Sequence, residues 1–258
     1  MNTSSTKLAK PKVGLFVTCL VDLFRPSVGF AAAKLIEQAG CEVVVPNTQT
    51  CCGQPAYNSG DRSDARALAT QTIHAFEHLD YVVAPSGSCA AMLKKHYPSL
   101  FQENDPWKAR ANRFAEKVFE LVAFLSDVMK IEQIESAFSG TVTYHDSCSG
   151  LRELGIKAQP RALLNRIPGV TTIEMKNSET CCGFGGAFCV KYADISNAIV
   201  EKKTQCIQQT GADLLLAGDL GCLMNIAGKI KREGGTITVR HIAEVLANIL
   251  DKPPIAGN

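Results

Sequence analysis

Long apolar stretches are missing from this 258-residue chain. The best candidate, residues 13–24, is interrupted and falls well short of the ~20 residues that a membrane span requires. The opening dozen residues are polar and basic and contain no apolar core of a secretory signal, so a cytoplasmic protein without a membrane span is expected. A surplus of one charge is missing as well. The net charge is +2 with acids and bases interspersed, which argues against nucleic acid or a membrane surface as a partner. No Cys-x-x-Cys pair occurs, so the knuckles of small zinc domains are absent. Gly183-Phe184-Gly185-Gly186 is followed by no Lys-Ser/Thr and does not complete a dinucleotide fingerprint. Nothing resembles a flavin or nicotinamide site, and no catalytic residue is identifiable.

What is present is cysteine, eleven of them. The number is odd, no secretion signal accompanies it, and a chain with 46% hydrophobic residues can bury a core without staples, so a disulfide framework is not expected. In a reducing compartment the abundance points to metal or redox chemistry, although a lone cysteine often packs as a small hydrophobe.

The cysteines are written twice. Cys51-Cys52-Gly53 returns as Cys181-Cys182-Gly183. Cys19 stands 32 residues before the first pair and Cys148 stands 33 before the second. Cys89 follows 37 residues after Cys52, and Cys222 follows 40 after Cys182. The four offsets between halves are 129, 130, 130 and 133 residues, a register that chance does not supply. The intervening chain repeats too. Apolar strands over residues 13–18 and 141–147 end at the lone cysteine, followed by helices at 28–38 and 160–166 and short strands at 41–45 and 170–175. Beyond each Cys-Cys-Gly come helices at 62–77 and 195–209, strands at 81–84 and 214–217, and a tight turn. Helices starting after the downstream cysteine (90–97; 223–232) and amphipathic closing helices at 114–129 and 241–250 complete each half. Alternating strands and helices predict an α/β fold of two internally repeated βαβ-type halves, 1–135 and 136–258, related by a pseudo-two-fold axis. In such folds ligands gather at the carboxyl ends of strands, where these cysteines fall.

Four thiolates per half, Cys19, Cys51, Cys52 and Cys89, then Cys148, Cys181, Cys182 and Cys222, match the usual ligand set of an iron–sulfur cluster. Adjacent side chains on a straight strand point to opposite faces, so the paired cysteines share a site only where the backbone turns sharply, a turn that Gly53 and Gly183 permit. Zinc is the competing metal, since four thiolates also make a tetrahedral site.

The pattern Cys…Cys-Cys-Gly…Cys, twice over, resembles the cysteine-rich CCG domain found in heterodisulfide reductase and in the glycolate oxidase iron–sulfur protein. At closer range CCGQPAYNSG (51–60), PSGSC (85–89), CCGFGG (181–186) and HIAEVL (241–246) resemble the lactate utilisation protein A family, over residues 12–250. That resemblance implies the iron–sulfur subunit of a three-component L-lactate dehydrogenase complex. It implies [4Fe–4S] clusters, up to one per half, in an oxidoreductase that takes L-lactate to pyruvate. Two partner subunits are implied, one a larger ferredoxin-type protein, with the substrate site lying in a partner. The fuller CCG motif ends in Cys-x-x-Cys, and its extra cysteine helps hold a non-cubane cluster in heterodisulfide reductase. Here that position holds Ser86 and Asp219. Four thiolates remain, enough for an ordinary cubane, with Asp219 either an additional oxygen ligand or a local hydrogen-bonding residue of its turn. Rival readings are a heterodisulfide-reductase-like thiol/disulfide redox subunit and a zinc-stabilised interaction module.

Several residues invite a plainer reading. Cys41, Cys189 and Cys206 have no mate in the repeat and are expected to pack. His145, three residues before Cys148, either tunes a bound cluster or is a strand-end histidine satisfied by backbone, the second being the default expectation. Trp107 with the basic run 108–113 reads as a solvated helix start.

Overall fold

The computed structural model describes residues 9–257. The polar leading segment, from which the absence of a signal core is inferred, lies partly outside them.

Short β-branched and aliphatic runs build two four-stranded, wholly parallel sheets. The first contains β1 (Lys12–Leu15), β2 (Glu42–Val44), β3 (Tyr81–Ala84) and β4 (Val118–Glu120) in the order β2-β1-β3-β4. The second contains β5 (Gly140–Tyr144), β6 (Val170–Thr172), β7 (Leu214–Ala217) and β8 (Thr238–His241) in the order β6-β5-β7-β8. Registers match between sheets: Val13 pairs with Val43 and Tyr81 in one, Val142 with Thr172 and Leu214 in the other. Buried on both faces, parallel strands read as continuous apolar runs, as Leu214-Leu215-Leu216-Ala217 does. The α/β architecture with two repeated halves is as the sequence indicates.

Three expectations need correction. First, β4 lies where the sequence reads as a closing helix over 114–129, and β8 lies almost wholly in the stretch between 232 and 241 to which the sequence reading assigns no element. The chain forms helix Pro106–Glu116, then β4, then a helical turn at Leu121–Ala123. In the second half β8 precedes helix Ile242–Leu246. Three- and four-residue strands are too short to display a period of two. Second, the strands do not run up to the lone cysteines. β1 and β5 stop short, and Cys19 and Cys148 are the first residues of helices Cys19–Phe24 and Cys148–Leu154. Third, Cys89 and Cys222 lie inside the first turns of helices Gly87–Ala91 and Leu220–Arg232 rather than before them. Trp107 is not simply solvated either: it stacks against Phe101 and beneath the Arg110 guanidinium, 3.8 Å away.

The long helices after each Cys-Cys-Gly show how deep the repeat runs. Helix Arg62–Phe76 buries Ala65, Ala69, Thr72, Ile73 and Phe76, and helix Ala193–Gln208 buries Ser196, Val200, Lys203, Thr204 and Ile207. Each pair differs by the same spacing in sequence, so the two helices dock on their sheets through the same positions.

The halves meet with the carboxyl ends of their sheets facing one another, and one apolar core runs from Val13 and Leu121 to Val142 and Leu246. Gly87 and Gly150 let helices Gly87–Ala91 and Cys148–Leu154 touch: a Cβ on Gly87 would stand 3.1 Å from the Gly150 backbone. Elsewhere along the seam Glu244, fully buried, accepts from Arg25 at 2.9 and 3.2 Å, from the Ser27 hydroxyl at 2.6 Å and from the His241 N–H at 3.2 Å. Removing one partner of such a pair strands the other charge in the interior. Glu244→Ala is therefore expected to cost about 3 kcal/mol in urea unfolding. An unchanged midpoint would show that Arg25 finds water instead.

Candidate metal centres

In a sheet ordered β2-β1-β3-β4 the direction of winding reverses between β1 and β3, and a crevice opens beyond their carboxyl ends. Cys19 follows β1, Cys51 and Cys52 follow β2, and Cys89 follows β3. The second half repeats this with Cys148, Cys181, Cys182 and Cys222 after β5, β6 and β7. The turn that brings the adjacent cysteines to one place is built as expected, with Gly53 at φ 82° and Gly183 at φ 79°. A Cβ on Gly183 would meet the Ser196 carbonyl at 2.7 Å, so no other residue fits that turn.

All four cysteines of the first half line one cavity of about 180 Å³. That is less than the roughly 300–1,000 Å³ of pockets for drug-sized ligands. Cys52 and Cys89 sulfurs stand 3.4 Å apart and Cys19 and Cys51 sulfurs 3.9 Å apart. Phe184, Gly186, Ala187, Asp219 and Leu220 of the second half close the cavity's far side. In the second half the ligand atoms of His145, Cys182 and Cys222 lie within 4.8 Å of one another. Cys181 takes a hydrogen bond from the Gly183 N–H at 3.3 Å and sits between Cys148 and Cys182. None of the eleven cysteines is in a disulfide.

The electrostatics repeat with the geometry. Cys51 is held well below the usual thiol range because it accepts hydrogen bonds from Cys19 and Cys52, and Cys181 likewise from Cys148 and Cys182. Cys19 and Cys148 are pushed up by the same bonds, which favour their protonated form, and by burial. Each half thus concentrates soft sulfur donors, with one thiolate favoured among them, which is a donor set suited to iron–sulfur or zinc. The residues fit such a group.

Ser86 and Asp219, at the motif's missing cysteines, are bonded to each other; Ser86 also caps its own helix, accepting from the Cys89 N–H at 3.3 Å, whereas Asp219 makes no local cap bond. Asp219 accepts from the Ser86 hydroxyl at 3.1 Å and from the Ser88 N–H at 2.9 Å, reaching across the seam. Local turn chemistry is therefore the wrong account of Asp219, and its carboxylate is engaged in joining the halves. Asp219→Ala deprives the Ser86 hydroxyl and the Ser88 N–H of that partner, an expected loss of about 2 kcal/mol in thermal or urea unfolding. No change in stability would mean that water replaces the carboxylate.

His145 also departs from expectation. Its ring is fully buried and neither nitrogen has a hydrogen-bond partner, so backbone does not satisfy it. Burial pushes its pKa down to about 3. Of the unpaired cysteines two pack, Cys41 lying 3.8 Å from the Met129 sulfur and Cys206 resting against the core, while Cys189 is half-buried and donates to the Gly186 carbonyl. A larger cleft of about 570 Å³, beside Leu35, Ile131 and Leu246, contains no cysteine or histidine. Among the described residues no helix is long and apolar enough to cross a membrane.

Two parallel α/β halves, each presenting Cys-Cys-Gly and two flanking cysteines at its switch point, define a tandem cysteine-rich protein. The family model of the CCG cysteine-rich domain matches residues 13–94 and again 142–227. Lactate utilization protein A of Anoxybacillus flavithermus is 50% identical over 234 residues, covering 91% of this chain and 98% of the relative. Lactate utilization protein A of Geobacillus kaustophilus is 50% identical over 235 residues with the same coverage. The chain belongs to the lactate utilization protein A family within the CCG cysteine-rich proteins. A crystal structure of a hypothetical protein from Helicobacter pylori shares the fold, with a TM-score of 0.68 at 12% identity. The match covers 94% of this chain and 49% of that one, so this chain spans about half its length.

Proposed function

We propose that this chain is the iron–sulfur electron-transfer subunit of a complex that oxidises L-lactate to pyruvate. The observation that carries this reading is the convergence, in each half, of four free cysteines at a switch point. Cys19, Cys51, Cys52 and Cys89 would hold one cluster, and Cys148, Cys181, Cys182 and Cys222 a second, each set supplying the four thiolates of a [4Fe–4S] cluster without a fifth cysteine. When bound, the clusters supply one-electron acceptor and donor states. The protein's own residues converge the thiolates, bring backbone N–H groups such as that of Gly183 to the sulfurs, and wall the first cavity with Leu220 and Phe184 against water.

Substrate chemistry is assigned to a partner. The first cavity is apolar and small, and no flavin or nicotinamide fingerprint is present. The reading also assigns this chain two partner subunits, one a larger ferredoxin-type iron–sulfur protein. The Ser86–Asp219 bond weighs against a heterodisulfide-reductase-like role, because both positions that would carry the extra thiol are occupied by a structural contact. The halves 1–135 and 136–258 are read as the two repeated units.

The test is anaerobic purification of the full chain, with iron, sulfide and zinc analysis and electron paramagnetic resonance. Lactate-dependent reduction is then followed with and without the partner subunits. Iron with sulfide, and reduction by lactate only when partners are present, is the expected result. Stoichiometric zinc without sulfide would instead establish an interaction module.

A further inference from the structure

The two cysteine sets are equivalent in sequence and fold, which makes any difference between their surroundings informative. His145 stands three residues before Cys148, and the residue three before Cys19 is Phe16. Both leave their strands in the same way, the Phe16 N–H donating to the Val83 carbonyl at 2.8 Å and the His145 N–H to the Leu216 carbonyl at 2.8 Å. In the first half the position is apolar: Phe16 is buried against Phe76, their ring centroids 5.7 Å apart. In the second half it is an imidazole, fully buried, with both nitrogens unpartnered and a ring nitrogen within 4.8 Å of the Cys182 and Cys222 sulfurs.

A neutral imidazole always carries one N–H. Burying it unpaired forfeits its hydration without return, so an orphan of this kind calls for a partner that completes it. The neighbouring helix differs in the same sense. Where helix Arg62–Phe76 buries Thr72, its hydroxyl 3.2 Å from that of Tyr97, helix Ala193–Gln208 buries Lys203. Lys203 donates to the Ser178 carbonyl at 2.6 Å and lies within electrostatic reach of Cys182 and Cys222. Both exchanges place a nitrogen donor beside the second set at a position where the first half has an apolar ring or a hydroxyl.

We propose that His145 is a positioning residue of the second centre, donating its ring N–H to sulfur of the group held there, and that this makes the second half the more readily reduced of the two. The inference rests on the cluster reading above. Hydrogen bonds to cluster sulfurs stabilise the electron-richer state and raise the reduction potential. An electron shared between the halves therefore resides on the second, and the duplicated fold is directional.

The experiment compares full-length wild type, His145→Phe and His145→Gln, purified without oxygen. Iron and sulfide are measured, and both centres are titrated against potential by electron paramagnetic resonance, the second being identified as the signal missing from Cys182→Ser. The phenylalanine variant, which copies Phe16, is expected to keep both centres. At a fixed potential the reduced-to-oxidised ratio of its second centre should fall about tenfold, corresponding to about 59 mV for a one-electron couple. The first centre should not move, and glutamine, which keeps an N–H, should lie near wild type. Loss of the second centre in the phenylalanine variant alone, with rescue by glutamine, also supports the donor role. A loaded phenylalanine variant with both potentials unchanged overturns it, as do phenylalanine and glutamine variants that behave alike. Wild type devoid of iron and sulfide would instead sink the cluster reading on which the inference stands.

Discussion

Replacing Cys52 with serine is expected to abolish the iron signal of the first half while leaving the second intact, and Cys182→Ser is expected to do the reverse. The reason is geometric. Cys52 and Cys182 are the buried members of each pair, 3% exposed in both cases, and each sits against its downstream mate, Cys89 or Cys222. Serine is nearly isosteric but offers a hard oxygen that ionises poorly, so the site keeps its shape and loses a soft ligand. The centres are assembled by separate sheets, and neither set borrows a cysteine from the other. The loss should therefore be confined to one half. Anaerobic iron analysis with paramagnetic resonance reads the result, and unchanged iron in both variants would remove these cysteines from the ligand set.

The second large effect concerns pH. Glu120 ends β4 and caps the following turn, its carboxyl accepting from the Val122 N–H at 2.8 Å and the Ala123 N–H at 3.1 Å. It is fully buried near the Tyr144 hydroxyl, and burial pushes its pKa up from 4.5 to about 8 against the opposing pull of those two N–H groups. Nearby Asp219 and Asp127 add to the rise. The folded state thus holds a proton that the unfolded chain releases. The stabilisation is complete below pH 4.5 and is lost as pH rises through about 8. At about 1.4 kcal/mol per pH unit the span sets an upper limit of about 5 kcal/mol. Glu120→Gln keeps an oxygen for the cap and has no proton to lose. Its unfolding free energy is expected to stay flat where that of the parent declines between pH 4.5 and 8. Parallel curves for the two proteins would contradict the assignment.

How much of this is legible in the sequence follows from the range over which each feature acts. The cysteine register is open to inspection because the repeat is carried by spacing. Strands such as Tyr81–Ala84 and Leu214–Ala217 are open because buried parallel strands are unbroken apolar runs. Val118–Glu120 and Thr238–His241 are not, since each hides between helical segments and is too brief to show alternation. Asp219 misleads because its partners, Ser86 and Ser88, lie more than 130 residues away, whereas turn chemistry concerns neighbours. His145 misleads for a related reason. Whether a buried nitrogen is satisfied depends on what the fold brings to it. One signal is available: aligning the halves places His145 opposite Phe16, a polar residue where the repeat has an apolar one.

The contact of Asp219 with Ser86 and Ser88 has an architectural consequence. One half contributes the gasket for the other's sulfur chamber, so severing the chain between its halves would yield two pieces with one chamber left open to solvent and oxidants. Duplication here has ceased to be redundancy: the second unit has become the lid of the first unit's vessel.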